Sequence, residues 1–274
     1  MKTKNLASIL SVLLISLAFG HAAAQGFQHA DSLRITYIAN YGALLQAGDK
    51  RVLIDGLFRQ GVEGYARVPK VLLRDLEKNR GPFAGADVLL VSHPHADHFD
   101  ASSVAAHLRK NSKAVLLSSQ QVVSATHKAL DGDANDRLIE ATPEWKHREK
   151  RTVAGIEIDI LRIRHGYAHN YSLQNLGHIL HLGGKKILHI GDAEMISENF
   201  ALFDLPAEKI DVALLPYWFL TSASGSKIVR ELIQPKAIIA MHIEPAQVSS
   251  ISAEIAESFP SAHVFTRPME KLVF

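Results

Sequence analysis

The chain has 274 residues and no cysteine. That absence excludes a disulfide framework and any thiolate metal site, so a bound metal would have to be held by nitrogen and oxygen. It also removes any cysteine for lipid attachment, and it fits an oxidising compartment, where a stray thiol is a liability. No internal repeat, low-complexity tract or Pro/Ser-rich linker divides the sequence. Charge of one sign is lacking as well, with 30 Lys and Arg against 28 Asp and Glu. Without a basic field, nothing favours nucleic acid or an anionic membrane as partner. The longest apolar run, Leu6 to Phe19, falls short of the roughly 20 residues that span a bilayer.

What is present begins with that run. Lys2 and Lys4 precede it, and Ala22-Ala23-Ala24 offers a small-residue cleavage site before Gln25. This is the pattern of an export signal. The expected organisation is a signal peptide over 1–24 and one domain over 25–274. The mature chain is expected in the periplasm or outside the cell, with no stable membrane insertion after cleavage. Losing Lys2 and Lys4 leaves bases and acids equal in number. At 47% hydrophobic and 21% charged residues, the remainder is ordinary for a globular protein and ample for a buried core.

Short apolar runs broken by Gly and Asp read as strands: "SLRITYIA", "GALLQAG", "KRVLIDG" and "ADVLLVS" early, then "IEIDILRIR", "GHILHLG", "KKILHIG", "DVALLPYW" and "KAIIAMH". Helices are expected over "PKVLLRDLEKN", which starts with proline and stops before Gly81-Pro82, and over "ASSVAAHLRKN", "SGSKIVRELIQ" and "VSSISAEIAESF". Strands outnumber helices, and the spacing mixes meanders with crossovers. Layered α/β with mixed sheets is the expectation.

The chemistry concentrates in "VSHPHADHFD". His93, His95, Asp97 and His98 stand where an apolar strand ends and before a helix begins, a place where hydrophobic patterning gives no reason for them. Imidazole and carboxylate are the ligands that zinc, manganese and iron accept when thiolate is absent. Other candidates also sit where an apolar strand stops: His165 after "IDILRIR", Asp192 after "KKILHIG" and His242 after "KAIIAM". They would converge if those strand ends share one edge of stacked sheets, where ligand sites of α/β folds form.

With these motifs in this order, "RVLIDG", "SHPHADH", a later His, "LHIGDA" and "AMHIEP", the sequence resembles the metallo-β-lactamase superfamily over nearly the whole mature chain. Its nearest likeness is to simple one-domain members such as the ascorbate-lactonase-like ones, not to the antibiotic-hydrolysing ones. The resemblance implies a four-layer αββα sandwich with a metal centre at one edge. Carried over, His93, His95 and His165 would hold one metal, Asp97, His98 and His242 a second, and Asp192 would bridge them. It also implies that Asp55 orients a ligand from behind. The implied activity is hydrolysis by a metal-bridged hydroxide, of an ester or lactone, an amide or a phosphodiester in a small-molecule substrate. Asp97 and Asp192 would be the catalytic carboxylates, and two divalent ions the cofactors, zinc first, with manganese or iron as alternatives. An iron enzyme handling oxygen or sulfur on the same scaffold, or a metal-binding protein without turnover, are the competing readings.

Other residues are weighed beside this set. His169 competes with His165 as third histidine, but it lies in a loop where more conformational entropy must be lost to place it. His165 is therefore the expected ligand and His169 a residue of the pocket. His189 is expected to be structural or behind the ligands, and His178 and His181 to be packing or surface groups. Tyr217 and Trp218, with Phe219, are expected in a pocket wall or in the core. Ser224 to Lys227 fits S-x-x-K but reads as a serine-capped helix start. "DGDANDRLIE" lacks the glycine and glutamate of a calcium loop and reads as an exposed turn.

Overall fold

The structure is a computed structural model that describes residues 32–133, 135–166 and 172–274. Two seven-stranded sheets contain the strands expected from the sequence. The first runs β14-β1-β2-β3-β4-β5-β6, with β1 Arg34–Ala39, β2 Gly42–Ala47, β3 Lys50–Ile54, β4 Val88–Val91, β5 Val115–Ser118, β6 Leu138–Glu140 and β14 Lys271–Val273. The second runs β13-β12-β11-β10-β9-β8-β7, with β7 Arg148–Val153, β8 Ile156–Arg162, β9 Leu176–Leu182, β10 Lys185–His189, β11 Val212–Pro216, β12 Ala237–Met241 and β13 His263–Val264.

Alternation along each strand explains why so many runs are apolar throughout. Val52 and Ile54 of β3 and Val88 and Leu90 of β4 face a core between the sheets, together with Ile158 and Ile160 of β8 and Ile239 and Met241 of β12. The residues between them turn outward. Leu53, Leu89 and Val91 meet helices α1 (Lys70–Glu77), α2 (Ala101–Lys110) and α3 (Gln120–Leu130) in a second core. Leu161, Leu188, Leu215 and Ala240 meet the helices of the other face in a third. Those helices are α4 (Leu205–Glu208), α5 (Trp218–Thr221), α6 (Ala223–Ile228) and α7 (Val248–Ser258). A strand covered on both faces has no polar side, so periodicity two disappears from its sequence. Three apolar cores separate four layers, the expected αββα sandwich.

Strand direction decides where the strand ends fall. In the first sheet β1, β2 and β3 are successively antiparallel and β3 is parallel to β4, so β1, β3 and β4 all point one way. In the second, β8, β9 and β10 are successively antiparallel and β10, β11 and β12 are parallel, so β8, β10 and β12 point together. Each sheet thus delivers three of these C-terminal ends to one edge, and Asn40, Asp55, Ser92, His165, Asp192 and His242 follow them within a few residues.

Several local expectations need correction. "DGDANDRLIE" is not wholly a turn: Leu138–Glu140 form β6, and Leu138 pairs in parallel with Leu116. The helix over 224–234 starts one residue earlier, at Ala223, and its cap is Ser222, whose Oγ accepts from Gly225 N. It continues as a π-helical turn over Val229–Ile233. Among the described residues no helix is long and apolar enough to cross a membrane. The proposed signal peptide lies outside the described residues.

Candidate metal centre

All seven sequence-derived candidates meet at that edge, in two groups. His93, His95, His165 and Asp192 form one and Asp97, His98 and His242 the other, with the ligand atoms of each group within 4.8 Å of one another. The turn after β4 supplies four of them. Asp100 then caps α2 by accepting from Ser103 N at 2.8 Å, which fixes where the turn ends. Gly191 sits at φ 54°, and a Cβ there would collide with the Asn175 side chain, so glycine lets the chain swing Asp192 into the site. His242 has φ 63° and Asp55 φ 44°, left-handed conformations that side chains other than glycine rarely adopt and that cost of order 1 kcal/mol or more each. His242 N is held by Asn40 O at 3.1 Å. His165 makes an isolated antiparallel bridge to Ala193, which ties the end of β8 to the residue after Asp192. His169 lies outside the described residues.

Asp55 orients both groups. It is fully buried and accepts from Ser92 N at 2.7 Å, Ser92 Oγ at 2.6 Å and His98 Nδ1 at 2.9 Å. Since the His98 proton sits on Nδ1, its Nε2 presents a lone pair to the site. Ser92 Oγ gives its one proton to Asp55 and so accepts from His93 Nδ1 at 2.9 Å, which exposes the His93 Nε2 lone pair as well. One carboxylate therefore sets the tautomer of a histidine in each group, directly in one and through a serine in the other. Ser92 and Asn40 are functional residues that sequence reasoning missed. Asn40, also fully buried, donates from Nδ2 to Asp97 Oδ2 at 3.0 Å.

The donor atoms fit a cation. His98 Nε2 faces His242 Nε2 at 3.2 Å, and His93 Nε2 faces His95 Nδ1 at 3.2 Å. Ring nitrogens turned on each other in this way repel unless a proton or a cation lies between them. A tetrahedral zinc with bonds of about 2.05 Å separates its ligand atoms by about 3.3 Å, so these are the edges that such a polyhedron has. Asp192 spans both groups. Its Oδ2 lies 3.8 Å from His93 Nε2, 3.8 Å from His165 Nε2 and 3.3 Å from His242 Nε2, and its Oδ1 lies 3.4 Å from His98 Nε2.

Electrostatics point the same way. Burial, followed by the neighbouring imidazole of His98, pushes His93 well below its ordinary pKa, and burial takes His165 to about 4, so both are neutral and ready to ligate. Burial lowers His98 too, but the carboxylates of Asp192 and Asp55 outweigh it and raise its pKa. His242 follows the same pattern beside Asp192 and Asp97. Without a cation, the acidic pair draws protons onto the imidazoles, and a metal would displace them.

The remaining candidates separate cleanly. His189 is buried with Nε2 3.6 Å from Asp55 Oδ2, so it lies directly behind the ligands, its ring 4.1 Å from that of Tyr41. His178 is buried in the inter-sheet layer, and among the described residues neither ring nitrogen has a hydrogen-bond partner. Burial takes its pKa to about 3. His181 is half-buried and binds Asp159 at 3.2 Å. Trp218 packs its ring 5.1 Å from His242, while Tyr217 reaches Trp218 at 5.5 Å. Phe219 is core. Tyr65, which no sequence pattern singles out, stands edge-on to His242 at 4.3 Å. Of the seven candidate ligands His95 and, at the margin, Asp192 are half-buried, which marks the open side of the site.

The family described as beta-lactamase superfamily domain matches residues 50–258. A metal-dependent hydrolase of Natranaerobius thermophilus is 23% identical over 248 residues, which are 88% of this chain and 99% of that protein. The fold matches a novel metallo hydrolase of Ignicoccus hospitalis with TM-score 0.59 and 18% identity, over 89% of this chain and 98% of that one. It also matches an isothiocyanate hydrolase from Delia radicum gut bacteria with TM-score 0.61 and 17% identity, over 88% and 99%.

Proposed function

We propose that this chain, which belongs to the beta-lactamase superfamily and is a metal-dependent hydrolase, holds two divalent ions, zinc in the first place. His93, His95 and His165 would hold one ion, Asp97, His98 and His242 the other, and Asp192 both. One observation carries this reading: the Asp192 carboxylate lies within 3.3 to 3.8 Å of ring nitrogens from both groups. The Natranaerobius relative is a metal-dependent hydrolase, which supports the same activity here.

When bound, two such ions supply Lewis acidity and a water acidified toward neutral pH. The chain's own residues do the rest. Asp55, through Ser92 and His98, keeps the ring nitrogens turned inward, so no reorganisation is needed when charge develops. Trp218 and Tyr65 cover His242 and shield that side from bulk water. Asp97 accepts from Asn40 and lies 3.2 Å from His242 through Oδ2, leaving Oδ1 to take the proton of the attacking water. Asp97 would then pass that proton on to the leaving group. Water adds to the carbonyl or phosphoryl centre, the bond to the leaving group breaks, and that group departs with the proton. The scissile bond is an ester or lactone, an amide or a phosphodiester of a small molecule.

Purified mature chain loaded with zinc should turn over at least one class among lactones, phosphodiesters, acyl amides and β-lactams. A chelator should abolish the activity and added zinc restore it. Turnover by metal-free protein, or none with any class, counts against the reading.

We place the enzyme outside the cytoplasm. The support is Lys2, Lys4, the apolar run and Ala22-Ala23-Ala24 before Gln25. Mass spectrometry of protein from its native host should find a chain beginning at Gln25, and an intact Met1 would sink the assignment.

A further inference from the structure

Beside the metal centre lies a cavity of about 770 Å³, between the loop before α1, the start of α7 and the segment joining β13 to β14. Its volume falls within the range of small-molecule sites. Apolar residues such as Ala66, Ile243 and Phe265 share the wall with the hydroxyls of Ser249, Ser252 and Thr266. Two of its lining residues, Asn40 and His242, are the ones that hold or face Asp97, at 3.0 and 3.2 Å. Both are buried, and among the described residues Asn40 Oδ1 and His242 Nδ1 have no hydrogen-bond partner.

Arg67 is the only Lys, Arg, Asp or Glu among the lining residues. It is exposed, and among the described residues it makes no hydrogen bond or ion pair, so its guanidinium, the side chain best matched to a carboxylate or phosphate, is open to a ligand. A formally neutral mature chain gives no general attraction for anions, so binding of an anion here has to come from the local group. We infer that this cavity is the substrate pocket of the hydrolase and takes a small molecule with an apolar body and one anionic head, carboxylate or phosphate, anchored by Arg67. This rests on the hydrolase reading. Arg67 is a specificity residue of this pocket, and Asn40 and His242 form its end nearest the candidate metal ligands.

Calorimetric binding to the zinc-loaded mature chain tests this without turnover. The probes are 4-phenylbutyrate, phenyl phosphate and the neutral 4-phenylbutyramide. Wild type should bind at least one anion, Arg67→Gln should bind it about tenfold or more weakly, and Arg67→Lys should recover part of the loss. The amide should bind both forms alike, and zinc content should not change. The carboxylate and phosphate arms show which head is preferred. Equal anion binding by wild type and Arg67→Gln overturns the proposal, because the anion then sits on the metals. Failure of wild type to bind either anion at millimolar concentration overturns it too. Because the readout is binding, a chain that hydrolyses nothing but binds anions through Arg67 would contradict the hydrolase reading and not this pocket.

Discussion

Asp192→Ala is expected to strip the centre of metal, lowering affinity for both ions by roughly a hundredfold or more and abolishing turnover. Replacing a residue behind the ligands already costs 10- to 100-fold in metal affinity, and Asp192 is proposed as a ligand itself. Its carboxylate reaches ring nitrogens of both groups, so its loss removes the one negative charge that the two groups share and leaves His93 and His98 facing each other's cation. Asp97→Ala provides the contrast. Asp97 belongs to one group only, and its loss should release one ion and keep the other. Zinc titration with mass-spectrometric counting separates the two variants, and two tightly held ions in Asp192→Ala would refute the bridging role.

Asp55→Ala should act through stability as well as through the metal. Three donors, Ser92 N, Ser92 Oγ and His98 Nδ1, lose their acceptor in a fully buried place. Breaking such a buried charged cluster costs about 3–5 kcal/mol, which for a domain of this size lowers the melting temperature by roughly 10 °C. The tautomers of His98 and His93 are then no longer held, so zinc affinity should fall about 10- to 100-fold even where the variant folds. Asp55→Asn separates the two effects. It retains the shape and one acceptor oxygen, so much of the stability should return while zinc affinity stays low. Thermal melts of metal-free protein together with zinc titrations check both halves. A variant with wild-type melting and wild-type affinity would show that Asp55 is only a turn carboxylate.

The candidate ligands that meet at one edge were legible in the sequence because each follows an apolar strand that stops abruptly, where hydrophobic patterning gives no reason for His or Asp. The direction of β8, β10 and β12 then turned three separate strand ends into one edge. What stayed hidden has physical reasons. Asn40 and Ser92 act through hydrogen bonds to Asp97, Asp55 and His93, and a lone Asn or Ser at a strand end is ordinary turn chemistry. Tyr65 reaches His242 only because its loop folds back, a long-range event with no local pattern. The charged run Arg148–Val153 hides β7, an edge strand that needs no apolar face on its solvent side, and β13 and β14 are too short to show periodicity. β6 was concealed by the Asp- and Gly-rich residues before it. The serine cap shifted from Ser224 to Ser222 because both are serines two residues apart, and only the bond to Gly225 N tells them apart.

Anomalous diffraction from zinc-soaked crystals, recorded on both sides of the zinc absorption edge, tests the central claim most directly. Two peaks are predicted, one among His93, His95 and His165 and one among Asp97, His98 and His242, with Asp192 adjoining both. No peak at this edge of the sheets, or zinc held instead by the second acidic cluster of Glu157, Asp159 and His181, would contradict it.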